Sequence, residues 1–134
     1  MEFAGDTGAF VGDGVASLGL ALGLGVTLEV EGEPTGLPAS VEVSAYRIVQ
    51  ESLTNTLKHA GPASATVRLA YADDELTVAV TDNGRGAAAN GTGAGQGLVG
   101  MRERVEAFGG TLDAGPRTGG GFSVTAVLPV RETR

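Results

Sequence analysis

The stretch PASVEVSAYRIVQESLTNTLKHAGP at 38–62, followed by ATVRLAYADDELTVAVT at 65–81, decides the fold. Pro38 and Ser40 open a helical pattern that runs to His59-Ala60, and Gly61-Pro62 is a strong stop. Ala65 to Ala72 and Glu75 to Thr81 then alternate apolar and polar residues, the period of two strands joined as a hairpin through Asp73-Asp74. Upstream, Val26 to Val30 alternates in the same way. Downstream, Leu98 to Phe108 is helical, with Leu98, Met101, Val105 and Phe108 on one side and Gly109-Gly110 as its stop. Thr111 to Ala114 and Phe122 to Leu128 form a last hairpin across a turn of Gly, Pro and Thr. Asp82 to Gly97, dense in Gly, Ala and Asn, reads as a loop. The order strand, helix, strand, strand, helix, strand, strand predicts a two-layer α/β sandwich.

The chain has 134 residues, 42% of them hydrophobic, enough for one packed domain. Its 23 glycines follow no G-X-Y period, which excludes collagen. The absence of cysteine removes disulfides and thiolate chemistry, and a single histidine disfavours a His-rich metal site or a Ser/His/Asp triad. The net charge is −7, and its distribution matters more than its sum. Glu2, Asp6, Asp13, Glu29, Glu31, Glu33 and Glu42 precede the first base, Arg47, whereas acids and bases balance from there on. Neither part offers the basic face that nucleic acid or anionic lipid requires. Val15 to Val26, the longest apolar stretch, is broken by glycines and too short to span a bilayer, and no basic segment of a signal peptide precedes it. A soluble domain is expected, with 1–25 as a poorly ordered arm, holding at most a short helical turn around Val15 to Leu22, and 26–134 as the folded unit.

Three segments carry possible chemistry. With Glu51 set at zero and about 100° per residue, Asn55 falls at about 40° and Lys58 at about −20°. Ala45, Val49, Leu53, Leu57 and Ala60 fall between about 120° and 240°, the expected core side. The stripe of anion, amide and cation is either a solvated face with a Glu-to-Lys contact or a ligand wall. In the second case carboxylate and amide oxygens suit a hard cation and the ammonium suits a phosphate. Asp82-Asn-Gly-Arg-Gly86, directly after a strand, is either a plain turn or a carboxylate set to accept the exocyclic amine of adenine beside glycines that admit a flat ring. Gly93-Ala-Gly-Gln-Gly-Leu-Val-Gly100 contains G-x-G-x-x-G, but no strand leads into it, so a Rossmann reading fails. Bare amides running into a helix N-terminus still attract phosphate.

Taken together, ESLTNTLKHA at 51–60, DNGRG at 82–86, GLVGMRERVEAFGG at 97–110 and the GGGF of the last hairpin resemble the Bergerat-type ATP-binding domain. That family joins histidine kinases to gyrase, Hsp90 and MutL ATPases, and the wording is most similar to the branch of nitrate and desaturase sensor kinases. The resemblance covers residues 26–130. It implies an α+β fold, a mixed sheet covered on one face by helices, with ATP and Mg²⁺ as ligands. Asn55 would ligate Mg²⁺, with Glu51 as a second polar or catalytic participant. Lys58 would contact phosphate and His59 would line the same edge. Asp82 would accept the adenine amine, with room made by Gly84 and Gly86. Gly95 and Gly97 would form a lid, with the amides around Leu98 and Val99 at the phosphates. Gly120 and Gly121 match the last motif, although many relatives carry a Thr where this chain has Gly121 before Phe122. Ser123 or Thr125 are the candidates to replace that hydroxyl.

The resemblance further implies that the chain is the catalytic domain of a cytoplasmic, or membrane-anchored, two-component sensor kinase. Its partners would be the histidine-bearing dimerisation domain of the same protein, a homodimer at full length, and a response regulator. His59 lies inside the nucleotide motif and is not the acceptor, so this chain alone binds ATP without completing phosphotransfer. The competing expectations are an anti-sigma-factor-type serine kinase and a non-enzymatic ATP-binding regulatory domain on the same fold.

Overall fold

The computed structural model describes residues 7–33, 37–59, 64–84 and 94–130. The elements run α1 (Thr7–Leu22), β1 (Gly25–Glu31), α2 (Ala39–His59), β2 (Ser64–Tyr71), β3 (Glu75–Asp82), α3 (Ala94–Ala107), β4 (Thr111–Pro116) and β5 (Phe122–Pro129). The strands form one sheet in the order β1-β2-β3-β5-β4. β1 and β2, joined through the crossover helix α2, pair in parallel; the β2–β3 and β4–β5 hairpins and the β3–β5 pair are antiparallel. The mixed sheet and its helical layer are those expected from the sequence.

Alternation aims one side of each central strand at the helices. Ala65, Val67 and Leu69 of β2, Leu76, Val78 and Val80 of β3, and Val124, Ala126 and Leu128 of β5 are all buried. Ile48, Val49 and Leu53 of α2 and Met101 and Val105 of α3 close the core from above. Asp82 continues the inward series 76, 78, 80 and is buried among these apolar residues.

Residues 7–22, expected within a poorly ordered arm, are instead helical. Val11 and Val15 are fully buried, and α1 packs on α2 and β1. The glycines that obscure its periodicity serve that packing: a Cβ on Gly14 would meet the Tyr46 ring at 2.8 Å, and one on Gly19 would meet Val26 at 2.9 Å. The helix ends where Gly23 takes a φ of 69°. There the amides of Gly23 and Leu24 donate to the carbonyls of Leu20 and Gly19, a left-handed glycine cap. α3 ends in the same way, Gly109 and Gly110 donating to Glu106 and Val105.

Ala45, Val49 and Leu53 of α2 are buried as expected and Ala60 lies outside the described residues, but the buried arc is shifted from the one predicted. Ile48, Ser52 and Thr56, at about 60°, 100° and 140° on the scale above, are buried, while Leu57 at about 240° is 46% exposed. The polar stripe therefore runs along the margin of the buried face rather than opposite it. Glu51 and Asn55 are half-buried, and Lys58 is exposed.

Candidate nucleotide site

The strand end at Asp82 is the centre of the site because several elements fix it. Its side chain is only 6% exposed, and both carboxylate oxygens accept hydrogen bonds. The Thr56 hydroxyl, from α2, donates to Oδ2 at 3.0 Å. The Gly84 amide donates to Oδ1 at 2.9 Å, closing a turn of the kind Asp favours. A carboxylate has about four lone-pair positions, so each oxygen keeps capacity for one more donor.

The backbone of Asp82 is held from the β4–β5 hairpin. Arg117 Nη1 donates to the Asp82 carbonyl at 3.1 Å. Gly121, with φ 96°, lies so close that a Cβ there would fall 1.9 Å from that same carbonyl oxygen. The turn is set by the Arg117 amide donating to the Gly121 carbonyl at 2.9 Å and the Gly120 amide donating to the Arg117 carbonyl at 3.1 Å. The last glycine motif thus abuts the first residue of DNGRG. Asn83 turns away: its Oδ1 accepts from the Ser64 amide at 2.9 Å, tying the loop to the start of β2.

Thr56 connects this centre to the helical stripe, since Asn55 is its immediate neighbour. Glu51 lies one turn before Asn55 and Lys58 nearly one turn after, and no ion pair joins Glu51 and Lys58 among the described residues. The Glu-to-Lys contact is absent, and the side chains of Glu51, Asn55 and Lys58 make no hydrogen bond among the described residues. His59 is the last residue of α2, and its side chain lies outside the described residues.

The sequence places the start of α3 too late. The helix begins at Ala94, so Gly95 and Gly97 lie in its first turn and Leu98 and Val99 follow within it. The amides free of helical partners are consequently those at the very start of α3, not those of Leu98 and Val99. Leu98 packs against the core and Val99 is 55% exposed. Arg85, Gly86 and the rest of the expected lid up to Gly93 lie outside the described residues. Arg102 spends its Nε–H on the Leu112 carbonyl at 3.2 Å, joining α3 to β4.

Neither candidate for the missing hydroxyl lies on the right side of the sheet. Ser123 pairs with Thr81 and Thr125 with Ala79, on the face opposite Asp82, Val80 and Val124. Thr56 and Arg117 were not among the expected site residues. Thr56 had a legible signal, a hydroxyl at an inward helix angle that burial obliges to find a partner. Arg117 had none, because its reach depends on the conformation of the turn.

Asn55 and Glu51 offer hard oxygen donors of the type Mg²⁺ takes, and their half-buried side chains have no protein partner among the described residues. No group of three or more His, Cys, Asp or Glu able to hold a metal occurs among the described residues.

The chain is 38% identical over 99 residues to the signal transduction histidine-protein kinase/phosphatase UhpB of Salmonella typhimurium, covering 74% of this chain and 19% of that protein. It is 36% identical over 105 residues to the sensor histidine kinase LnrJ of Bacillus subtilis, covering 76% of this chain and 26% of that one. The chain therefore spans about a fifth to a quarter of these relatives. Among solved structures, the histidine kinase domain of the blue-light activated kinase EL346 from Erythrobacter litoralis superposes with a TM-score of 0.68 at 27% identity, over 93% of this chain and 61% of that one. The catalytic domain of histidine kinase ThkA shares the fold at 12% identity, with a TM-score of 0.67 over 90% and 93% of the two chains. A family model described as histidine kinase-, DNA gyrase B- and HSP90-like ATPase matches residues 40–132, and the chain belongs to that family.

Proposed function

We propose that this chain is the ATP-binding catalytic domain of a two-component sensor histidine kinase. It holds Mg·ATP so that the γ-phosphoryl group is presented to a histidine on a separate dimerisation domain, for relay to an aspartate of a response regulator. The observation that carries the reading is the hydrogen bond from Thr56 to Asp82, which ties a base-reading carboxylate to the turn of α2 that carries Asn55, whose amide has no partner among the described residues. The names of the relatives favour a histidine over a serine acceptor. No helix among the described residues is long and apolar enough to cross a membrane, and we place the domain in the cytoplasm of its parent protein.

Each residue has a defined task. Asp82 accepts the adenine amine, where a guanine carbonyl would set acceptor against acceptor. Lys58, exposed at the end of the stripe, supplies an ammonium to the phosphates. The free amides at the start of α3, aided by the helix dipole, supply further donors. Asn55, with Glu51, would hold a magnesium ion, which when bound neutralises phosphate charge. Phosphoryl transfer needs positioning and charge stabilisation more than covalent help, and these groups supply both. In the transfer, the bond from the γ-phosphorus to the bridging oxygen breaks, a bond to the acceptor nitrogen forms, and ADP leaves.

Calorimetry of Mg·ATP against the wild-type chain and Asn55→Ala tests the site. The variant is expected to melt like wild type and to lose magnesium-dependent binding. Unchanged Mg·ATP affinity in the folded variant would remove Asn55 from the site. In the parent protein, ATP should yield acid-labile phosphohistidine, and an acid-stable phosphoester in its place would move the reaction to a hydroxyl acceptor.

A further inference from the structure

We infer that Thr56 is the positioning residue that aims Asp82 at the base. The inference rests on the nucleotide reading above and adds to it the residue on which adenine selectivity depends. In this chain Gly121 has no side chain, and Ser123 and Thr125 belong to the opposite sheet face. Among the described residues, the donors to the Asp82 carboxylate are the Gly84 amide on Oδ1 and the Thr56 hydroxyl on Oδ2.

The geometry at Thr56 assigns its hydrogen. Oγ1 lies 3.0 Å from Asp82 Oδ2 and 3.1 Å from the Ser52 carbonyl, and a hydroxyl has one hydrogen for two acceptors. A carboxylate is the stronger acceptor. If the hydrogen pointed to Ser52, two oxygen lone pairs would face each other across a buried 3.0 Å gap. The Ser52 carbonyl favours the χ1 rotamer that brings Oγ1 close to it, and that same rotamer sets Oγ1 against Asp82. Both partners are nearly sealed from water, Thr56 at 4% and Asp82 at 6% exposure, so no solvent molecule can replace the donor cheaply.

Without that donor, Oδ2 is a buried acceptor lacking a partner on the α2 side. The carboxyl is then free to rotate about its χ2 or to draw in water, and its remaining lone pairs no longer point to a fixed place. The loss falls on a ligand that donates a hydrogen there and spares one that does not. Thr56 therefore acts through Asp82, and its signature is a change in the preference between bases.

The test measures Mg·ATP and Mg·GTP binding by competition against a fluorescent ATP analogue, with a thermal melt of each protein. Thr56→Val keeps the shape and deletes the hydroxyl. It should weaken ATP about tenfold and GTP less than about twofold, so that the ATP preference falls about tenfold, the worth of one hydrogen bond to a charged group. Thr56→Ser, which keeps the hydroxyl, should retain the wild-type preference. Should Thr56→Val fail to fold, the comparison passes to Thr56→Ser and Thr56→Ala, the preference being kept in the first and lost in the second. Equal weakening of ATP and GTP, or an unchanged preference without the hydroxyl, overturns the role of Thr56 while leaving the nucleotide site intact. A wild-type chain that binds neither nucleotide overturns the functional reading itself, and this inference with it.

Discussion

Gly121 is the position where a single methyl group should do the most harm at the least chemical change. Its φ of 96° lies in a region that L residues rarely occupy, and a Cβ would stand 1.9 Å from the Asp82 carbonyl oxygen and 3.2 Å from Asn83 Cα. Neither neighbour is a flexible side chain. Holding an L residue in the left-handed region costs roughly 1–2 kcal/mol, and forcing a methyl into a packed place costs about 1–3 kcal/mol. Gly121→Ala should thus lose about 2–5 kcal/mol, which at about 4 °C per kcal/mol for a chain of this size lowers the melting temperature by about 8–20 °C. Gly119 is the internal control, since its φ is 90° but nothing lies within 4 Å of its Cβ position. Gly119→Ala should show the backbone cost alone, about 1–2 kcal/mol. Differential scanning calorimetry of the two variants separates strain from clash. If they melt together, the close approach of the hairpin to Asp82 is not what the protein has in solution.

The other expectations use the same measurement at other places. Val15 of α1 is fully buried, and a large share of the roughly 1.5–3 kcal/mol gained on burying such a side chain should be lost in Val15→Ala, with Val15→Ile better tolerated. A melt unaffected by Val15→Ala would return α1 to the status of a separable arm. Arg68 and Glu31 pair at 2.6 Å on the outer sheet face, and the Arg68 guanidinium, by hydrogen bond and charge, holds the Glu31 carboxyl below its ordinary value. Since a lowered carboxyl contributes above its unfolded value and loses that contribution as pH falls through the folded one, any difference between wild type and Arg68→Ala should appear at neutral pH and vanish in acid. Both side chains are solvated, so added salt should erase it too, and a large salt-resistant effect would contradict the pair's exposure.

How much of this was legible in the sequence depends on whether a feature is periodic. The sheet strands and the core of α2 show in their alternation, and Asp82 could be placed at a strand end because β3 keeps its period to the last residue. The helix α1 was hidden because its apolar residues are interrupted by glycines, which weaken a helix on propensity grounds and yet are required where Tyr46 and Val26 press against the backbone. The early start of α3 was missed for a related reason, as glycine-rich sequence scores as loop even where it forms a first helical turn. Leu57 was assigned to the core by angle alone, but the buried arc of α2 is turned so that hydroxyl-bearing Thr56 faces the sheet and Leu57 is exposed. The motifs that make up the site were readable as words. Their connections through Thr56 and Arg117 were not, since each joins residues far apart in sequence.

The remaining puzzle is how a chain of net charge −7 comes to hold a polyanion, and the topology answers it. Glu42 lies thirteen residues before Asn55 on α2, about 20 Å along a helix axis at 1.5 Å per residue. Because β1 runs parallel to β2, Glu31 stands beside Ala70 whereas Asp82 stands beside Ala65. Those rungs are five residues apart, about 17 Å at strand spacing. Glu29 and Glu31 also alternate onto the sheet face away from the helices, with Arg68 in register with the first and paired with the second. Separations of this size are about two screening lengths at physiological salt, so Glu29, Glu31 and Glu42 present little potential where the phosphates would lie. On the proposed function, local charge at the site is set instead by Lys58, by helix amides, by Glu51 and by Asp82, whose carboxylate would face the base. The chain can thus remain acidic overall without opposing the polyphosphate that the proposed function requires.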